Sequence, residues 1–127
     1  KKKKKVVCLD GDGAVAMHMG ALATSSKNNN LIHIVFNNKS HDSVGGQPTA
    51  TNNVSYFKLA KILGYKHCYF ARNKKTLIKS IKLSIKTKKS TFIEILCSKG
   101  ASDNLSRPQK KIIDYKNSFI KFLKKTN

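Results

Sequence analysis

Two short polar groups of residues stand out in an otherwise lysine-rich chain: Gly11-Asp12-Gly13 and, further on, Asn37-Asn38. The glycines lie between the apolar run Val6-Val7-Cys8-Leu9 and an Ala/Met-rich run, and the asparagines end a second apolar run from Leu31 to Phe36. A turn from a strand into a helix presents free backbone N–H groups and the positive end of a helix dipole, which suits phosphate groups. Asp12 adds a carboxylate oxygen and Asn38 a neutral amide oxygen at the ends of successive strands. One carboxylate and one amide on hard oxygen atoms suit a small divalent cation holding a diphosphate. Either group alone would be ordinary turn chemistry, with Asp as a cap and Asn as a turn residue; their spacing carries the argument.

These residues must be positioned by alternating strands and helices. Strands are predicted over 6–9, 31–36, 66–70 and 91–96. Helices are predicted over 14–24, opened by Gly13, and over 54–63, capped by Asn52 or Asn53 and closed by Gly64. An amphipathic helix is predicted over 74–86, with Leu77, Ile81 and Ile85 on one face and Lys79, Lys82 and Lys86 on another. A last helix is marked by Ile112, Tyr115, Phe119 and Phe122. Alternation of this kind predicts a three-layer α/β/α fold with a mainly parallel sheet. The loops 10–13, 37–51 and 97–109 then share the rim at the C-terminal ends of the strands, where such sheets bind ligands.

Composition narrows the function classes. With 127 residues the chain fits one modest core. It carries 26 Lys+Arg against 6 Asp+Glu, a formal charge of +20. Such a balance raises the question of nucleic acid or an anionic membrane. Arg72 and Arg107 are its only arginines, however, and bidentate phosphate and base recognition favours Arg. The lysines are scattered among asparagines, there is no aromatic array for stacking and no zinc-finger spacing. The charge is therefore read as solvated surface, with no specific nucleic-acid partner. A basic nucleic-acid-binding module is the alternative of another class; it would explain the charge but not the Asp12/Asn38 spacing. No apolar run is long enough for a membrane span, and no signal-peptide pattern is visible. Cys8, Cys68 and Cys97 each fall in an apolar run and are read as small buried hydrophobes of a reducing, cytoplasmic compartment.

Gly-Asp-Gly followed by Asn-Asn resembles the signature of thiamine-diphosphate-dependent enzymes. The resemblance narrows with Asp10-Gly11-Asp12-Gly13-Ala14, Met17-His18-Met19-Gly20-Ala21-Leu22, and His41-Asp42-Ser43-Val44-Gly45-Gly46-Gln47-Pro48-Thr49. These runs, with Phe92-Ile93-Glu94, Gly100-Ala101 and Arg107-Pro108, are similar to the phosphonopyruvate decarboxylase family and its near relative, sulfopyruvate decarboxylase. The similarity extends from Val6 to the last helix. An acetolactate-synthase-like enzyme is a further alternative. The resemblance implies thiamine diphosphate and Mg²⁺ as cofactors, with Asp12, Asn38 and the carbonyl of Ser40 as metal ligands. Gly11 and the N–H groups of Gly13 and Ala14 would lie against the diphosphate. The substrate would be a small anionic 2-oxo acid, phosphonopyruvate first, decarboxylated to phosphonoacetaldehyde and CO₂.

His41, Ser43 and Gln47 follow the ligand set directly; they either line the substrate cavity or hold the loop by hydrogen bonds. Arg107 either binds the anionic end of the substrate or ties its loop. His18, between two methionines, is read as a packing histidine, and Glu94 as the partner of one of the many lysines. His33 and His67 receive no role. Lys39 stands where the family usually has Gly; a left-handed backbone there would cost about 1 kcal/mol more for Lys. Ser102 stands in place of an expected Arg and Ser106 in place of Gly. In this family a glutamate on a separate pyrimidine-binding domain activates the cofactor, and no residue here is assigned that catalytic role. The whole chain, 1–127, thus reads as a diphosphate-binding C-terminal domain lacking its first part. Its partner would be a pyrimidine-binding domain or subunit in a homo- or hetero-oligomer, and the fragment alone would be inactive.

Overall fold

A computed structural model describes residues 4–100, 105 and 108–125. Four strands form one parallel sheet: β1 (Val6–Gly11), β2 (Leu31–Asn37), β3 (His67–Ala71) and β4 (Thr91–Leu96), in the order β1-β2-β4-β3. Between β1 and β2 run α1 (Asp12–Met17) and α2 (Ala21–Ser25), followed later by α3 (Tyr56–Ile62), α4 (Lys74–Lys86) and α5 (Ile112–Lys125). The alternation of residues along each strand sends side chains to opposite faces. On one face Val35 and Phe92 pack with Val15, Leu22, Tyr56, Ala60 and Tyr65, all buried. On the other, Ile32, Ile34, Ile93, Ile95 and Ala71 are joined by Leu77 and Ile81 of α4. Helices thus cover both faces, the three-layer arrangement expected, and β2 and β4 at the centre are apolar on both sides.

The first helix differs from expectation. It is not continuous over 14–24 but breaks at His18, whose φ of −137° and ψ of 48° leave the helical region. The chain crosses to α2 through short-range bonds, Ala21 N–H to the His18 carbonyl at 3.0 Å and Leu22 N–H to the Met19 carbonyl at 3.1 Å. Gly20, weak in any helix, sits at that joint. His18 is consequently exposed rather than a packing residue.

The second helix begins later than expected, with Ser55 rather than Asn52 or Asn53 at its N-cap position and no side-chain capping bond there. The reason lies beneath it in the sheet. Glu94, only 2% exposed, accepts the Phe57 N–H at 2.9 Å on one carboxylate oxygen. It accepts the Asn37 amide at 2.7 Å on the other. A carboxylate at a helix start satisfies an orphan N–H and the helix dipole together. Glu94 is therefore not a lysine's salt-bridge partner but the strut that joins β4, the end of β2 and α3. Gly64, at φ 102°, closes α3 in a conformation only glycine adopts freely.

Burial corrects two further readings. Cys8 and Cys97 are exposed, and Cys68 is half-buried; all three are free thiols. Cys8 lies on β1, which pairs with β2 alone among the described residues, and Cys97 lies just past the end of β4 at the rim. On α4 it is Ser80 and Ser84 that are buried beside Leu77 and Ile81, while Ile85 is exposed; the two serines return their hydroxyls to the Thr76 and Ser80 carbonyls. Among the described residues the apolar stripe of α5 is exposed, Phe119 at 61% and Phe122 at 58%. Among the described residues, no helix is long and apolar enough to cross a membrane.

Candidate functional site

The site follows from strand order. β1, β2 and β4 are neighbours, so the loops after their C-terminal ends converge on one rim. They enclose a cavity of about 760 Å³, within the size range of small-molecule sites. From the first loop it is lined by Gly11, Asp12, Gly13 and Ala14; from the second by Asn38, Ser40, His41, Ser43 and Gln47; from the third by Cys97, Ser98 and Gly100. Arg107, Ser102 and Ser106 lie outside the described residues, as does much of the loop that carries them.

Asp12 is the first residue of α1 and 2% exposed. Its Oδ2 accepts the Thr49 hydroxyl at 3.0 Å, and its backbone carbonyl accepts the Tyr56 hydroxyl at 2.9 Å. Tyr56, wholly buried, is bonded in turn to Thr51. The carboxylate is thereby clamped between the first and second loops. Gly13 and Ala14 follow it in the first turn, where backbone N–H groups have no partner within the helix. Gly13 also has a steric role: a Cβ there would lie 2.6 Å from Nδ1 and 2.7 Å from Cε1 of His41. Glycine is what lets the His41 ring form the wall of the cavity. Gly13→Ala is expected to displace that ring and cost on the order of 1 kcal/mol of stability. It should weaken ligand binding at the rim as well. Thermal unfolding and cofactor titration check this, and two unchanged curves would refute it.

The Asn-Asn pair divides its work. Asn37 is buried and structural, giving its amide to Glu94 and receiving the Lys39 N–H at 3.2 Å. Asn38 lines the cavity. Its Nδ2 donates to Asp42 Oδ2 at 2.7 Å and its Oδ1 accepts the Ser40 N–H at 3.1 Å. These bonds assign the two ends of the amide. Lys39, which follows Asn38, is left-handed at φ 58°, a backbone less strained for glycine. Ser40 is buried, gives its hydroxyl to the Gly46 carbonyl at 2.9 Å and is bridged to Pro48. The loop beyond is held by backbone bonds, His41 N–H to the Gln47 carbonyl at 2.8 Å and Gly46 N–H to the His41 carbonyl at 3.0 Å.

Residues missed by sequence reasoning are the ties around this set. Thr49 and Tyr56 hold Asp12. Asp42 joins the second loop to the third, accepting the Gly100 N–H at 2.7 Å as well as the Asn38 amide. The Ser40 side chain first, then the Gly100 N–H, hold its carboxyl below the usual carboxylate range, so it is an anion at neutral pH. Cys97, at the rim, has its thiol pushed up by burial and then by the charge of Asp12.

Oxygen donors from a carboxylate, an amide and a serine, beside a glycine-opened helix start, fit a Mg²⁺–diphosphate group by their chemistry. The comparison with known families agrees. Residues 1–95 match the family described as thiamine pyrophosphate enzyme, C-terminal TPP binding domain, and the chain belongs to that family.

Among its relatives, the phosphonopyruvate decarboxylase of Streptomyces viridochromogenes is 33% identical over 108 residues, 84% of this chain and 27% of the relative. The sulfopyruvate decarboxylase subunit beta of Methanococcus maripaludis is 25% identical over 126 residues, 96% of this chain and 66% of the relative. A Mycobacterium smegmatis structure assigned to the thiamin diphosphate-dependent enzymes superposes with a TM-score of 0.60 at 17% identity, over 76% of this chain and 19% of its own; it shows the fold. The chain thus spans about a quarter of the phosphonopyruvate decarboxylase it matches.

Proposed function

We propose that this chain forms the metal- and diphosphate-binding part of a Mg²⁺- and thiamine-diphosphate-dependent 2-oxo-acid decarboxylase of the cytoplasm. The observation that carries the reading is the single cavity shared by Asp12, Asn38 and Ser40 at the ends of adjacent strands. In this reading the Asp12 carboxylate, the Asn38 amide oxygen and the Ser40 carbonyl hold Mg²⁺. The Gly13 and Ala14 N–H groups meet the diphosphate beside Gly11. Asp42 keeps the Asn38 nitrogen turned to itself, leaving the oxygen end for the cation. When bound, thiamine diphosphate supplies the carbon nucleophile and the electron sink for loss of CO₂. His41, Ser43 and Gln47, along the cavity wall, contact the substrate, and Arg107 takes its anionic end.

Phosphonopyruvate is the preferred substrate, because the relatives matching over 84% of this chain are phosphonopyruvate decarboxylases. Sulfopyruvate is the second reading, supported by the beta-subunit relative that matches 96% of this chain. That relative's designation as a subunit also supports a partner carrying the pyrimidine-binding half, within a homo- or hetero-oligomer.

Asn38→Ala in the complete enzyme is expected to raise the Mg²⁺ and thiamine diphosphate concentrations needed for half-maximal activity by about ten-fold or more, since it removes a ligand. The fold should survive, because Asn38 lies on a loop and it is Asn37 that bonds to the Glu94 strut. Cofactor titration checks this; unchanged dependence would remove Asn38 from the ligand set. The surface charge of +20 is expected to give only weak, sequence-independent DNA binding that falls steeply with salt. Tight, sequence-selective binding at physiological salt would favour a nucleic-acid-binding module instead.

A further inference from the structure

A second cluster of ligating side chains lies on the face of the sheet rather than on its rim. Parallel pairing places Cys8 of β1 directly beside His33 of β2. Asp10, two residues along β1, projects from the same face. One donor atom from each of Cys8, Asp10 and His33 lies within 4.8 Å of the others. His33 Nε2 is 3.3 Å from Asp10 Oδ2. Its other ring nitrogen, Nδ1, is already held by the Tyr65 hydroxyl at 3.2 Å, and its ring packs edge-on against Phe92 with centroids 5.2 Å apart. The imidazole is buried and fixed, with Nε2 turned toward the Asp10 carboxylate. Among the described residues Cys8 is exposed and Asp10 half-buried.

From this geometry we infer that Cys8, Asp10 and His33 form a site for a borderline-soft divalent cation of the zinc type. A thiolate, an imidazole and a carboxylate are zinc's usual ligands, and a tetrahedral site with bonds of about 2.0–2.3 Å needs donors roughly 3.4–3.7 Å apart. Side-chain rotations of a few tenths of an ångström to about one ångström close the cluster to that spacing. Three protein ligands leave the fourth position of a tetrahedron for water. The Tyr65 bond to Nδ1 is the outer-shell contact that orients a ligating histidine. Mg²⁺ is not the expected occupant, because it prefers oxygen donors in an octahedron. Thiolate and carboxylate charges together balance a divalent cation, with the Cys8 proton released to solvent on binding. The ion would pin β1 to β2, the two strands whose ends carry Asp12 and Asn38, and so stabilise the rim without touching the diphosphate site. This site stands independently of the decarboxylase reading.

Cobalt titration of the chelator-treated, reduced protein at its full natural length tests the inference. Binding of Co²⁺ should produce the intense visible bands of a tetrahedral ion and a thiolate-to-cobalt charge-transfer band, both erased by one equivalent of Zn²⁺. Cys8→Ser should abolish the charge-transfer band and weaken Co²⁺ binding by about ten-fold or more. Asp12→Asn and a Cys68→Ser/Cys97→Ser double variant should leave the spectrum unchanged. His33→Gln should remove the tetrahedral bands; if circular dichroism shows that it does not fold, the half-exposed Asp10→Asn replaces it. Absence of the charge-transfer band in the native protein, or its persistence in Cys8→Ser, would overturn the assignment. So would its loss in the Cys68/Cys97 double variant or in Asp12→Asn.

Discussion

Asp12→Asn is expected to weaken Mg²⁺-dependent thiamine diphosphate binding by about 100-fold or more while leaving the fold intact. Changes to groups that only support a metal ligand already cost about 10–100-fold, and here the one charged ligand of the set is neutralised. The structural cost should be small for a specific reason. Asp12 is held at Oδ2 by the Thr49 hydroxyl and through its backbone carbonyl by the Tyr56 hydroxyl. Asparagine keeps the carbonyl bond unchanged and offers an amide oxygen to Thr49. What it lacks is negative charge, and a hard divalent cation recovers its lost hydration mainly from anionic oxygen. Isothermal titration of thiamine diphosphate with and without Mg²⁺, paired with thermal unfolding, separates the two effects. Loss of cofactor binding with an unchanged melting temperature is the expected result. Cofactor affinity within a few-fold of the parent would take Asp12 out of the metal site.

What made the fold legible was its centre. β2 and β4 are apolar on both faces and rich in β-branched residues, and α4 begins and ends where the amphipathic pattern does, over Lys74–Lys86. Two of the departures arise where the sequence carries no local signal. The start of α3 follows Glu94, from a distant strand, rather than the nearby asparagines. Buried serines on α4 satisfy themselves through their own helix carbonyls, which leaves no apolar trace in the sequence.

The candidate site divides along the same line. Asp12 and Asn38 stand out in the sequence because the proposed cation and diphosphate chemistry demands particular atoms at particular strand ends. Their supports do not. Thr49, Tyr56 and Asp42 are ordinary loop and helix residues until the loops converge and their hydroxyl and carboxylate groups meet Asp12, Asn38 and Gly100. The buried His33, given no role in the sequence, acquires one only through its parallel register with Cys8.

A protein limited to these 127 residues is expected to release no CO₂ from phosphonopyruvate, sulfopyruvate or pyruvate, even with Mg²⁺ and thiamine diphosphate supplied. The resemblance to thiamine-diphosphate decarboxylases implies that a glutamate must reach the cofactor's aminopyrimidine. The only glutamate here is Glu94, which is 2% exposed with one oxygen on the Asn37 amide and the other on the Phe57 N–H. Freeing it would leave a buried amide and a helix-start N–H without partners, at a cost of about 1–3 kcal/mol each. It would still belong to the sheet beneath α3 rather than to the cavity. In the proposed reading, activation comes from a pyrimidine-binding partner. Mixing the chain with such a partner, from the same polypeptide or another subunit, should restore CO₂ release if the halves pair. Glu94→Gln in that restored enzyme should lower thermal stability more than it lowers turnover, since its oxygen can still receive one of the two bonds. Turnover by the 127-residue chain alone would show that it contains its own activating group and that the division of labour argued here is wrong. A restored enzyme preferring plain pyruvate would keep the cofactor site and reject the phosphonate. That outcome would fit the serine at position 102, where the family's pattern leads one to expect an arginine.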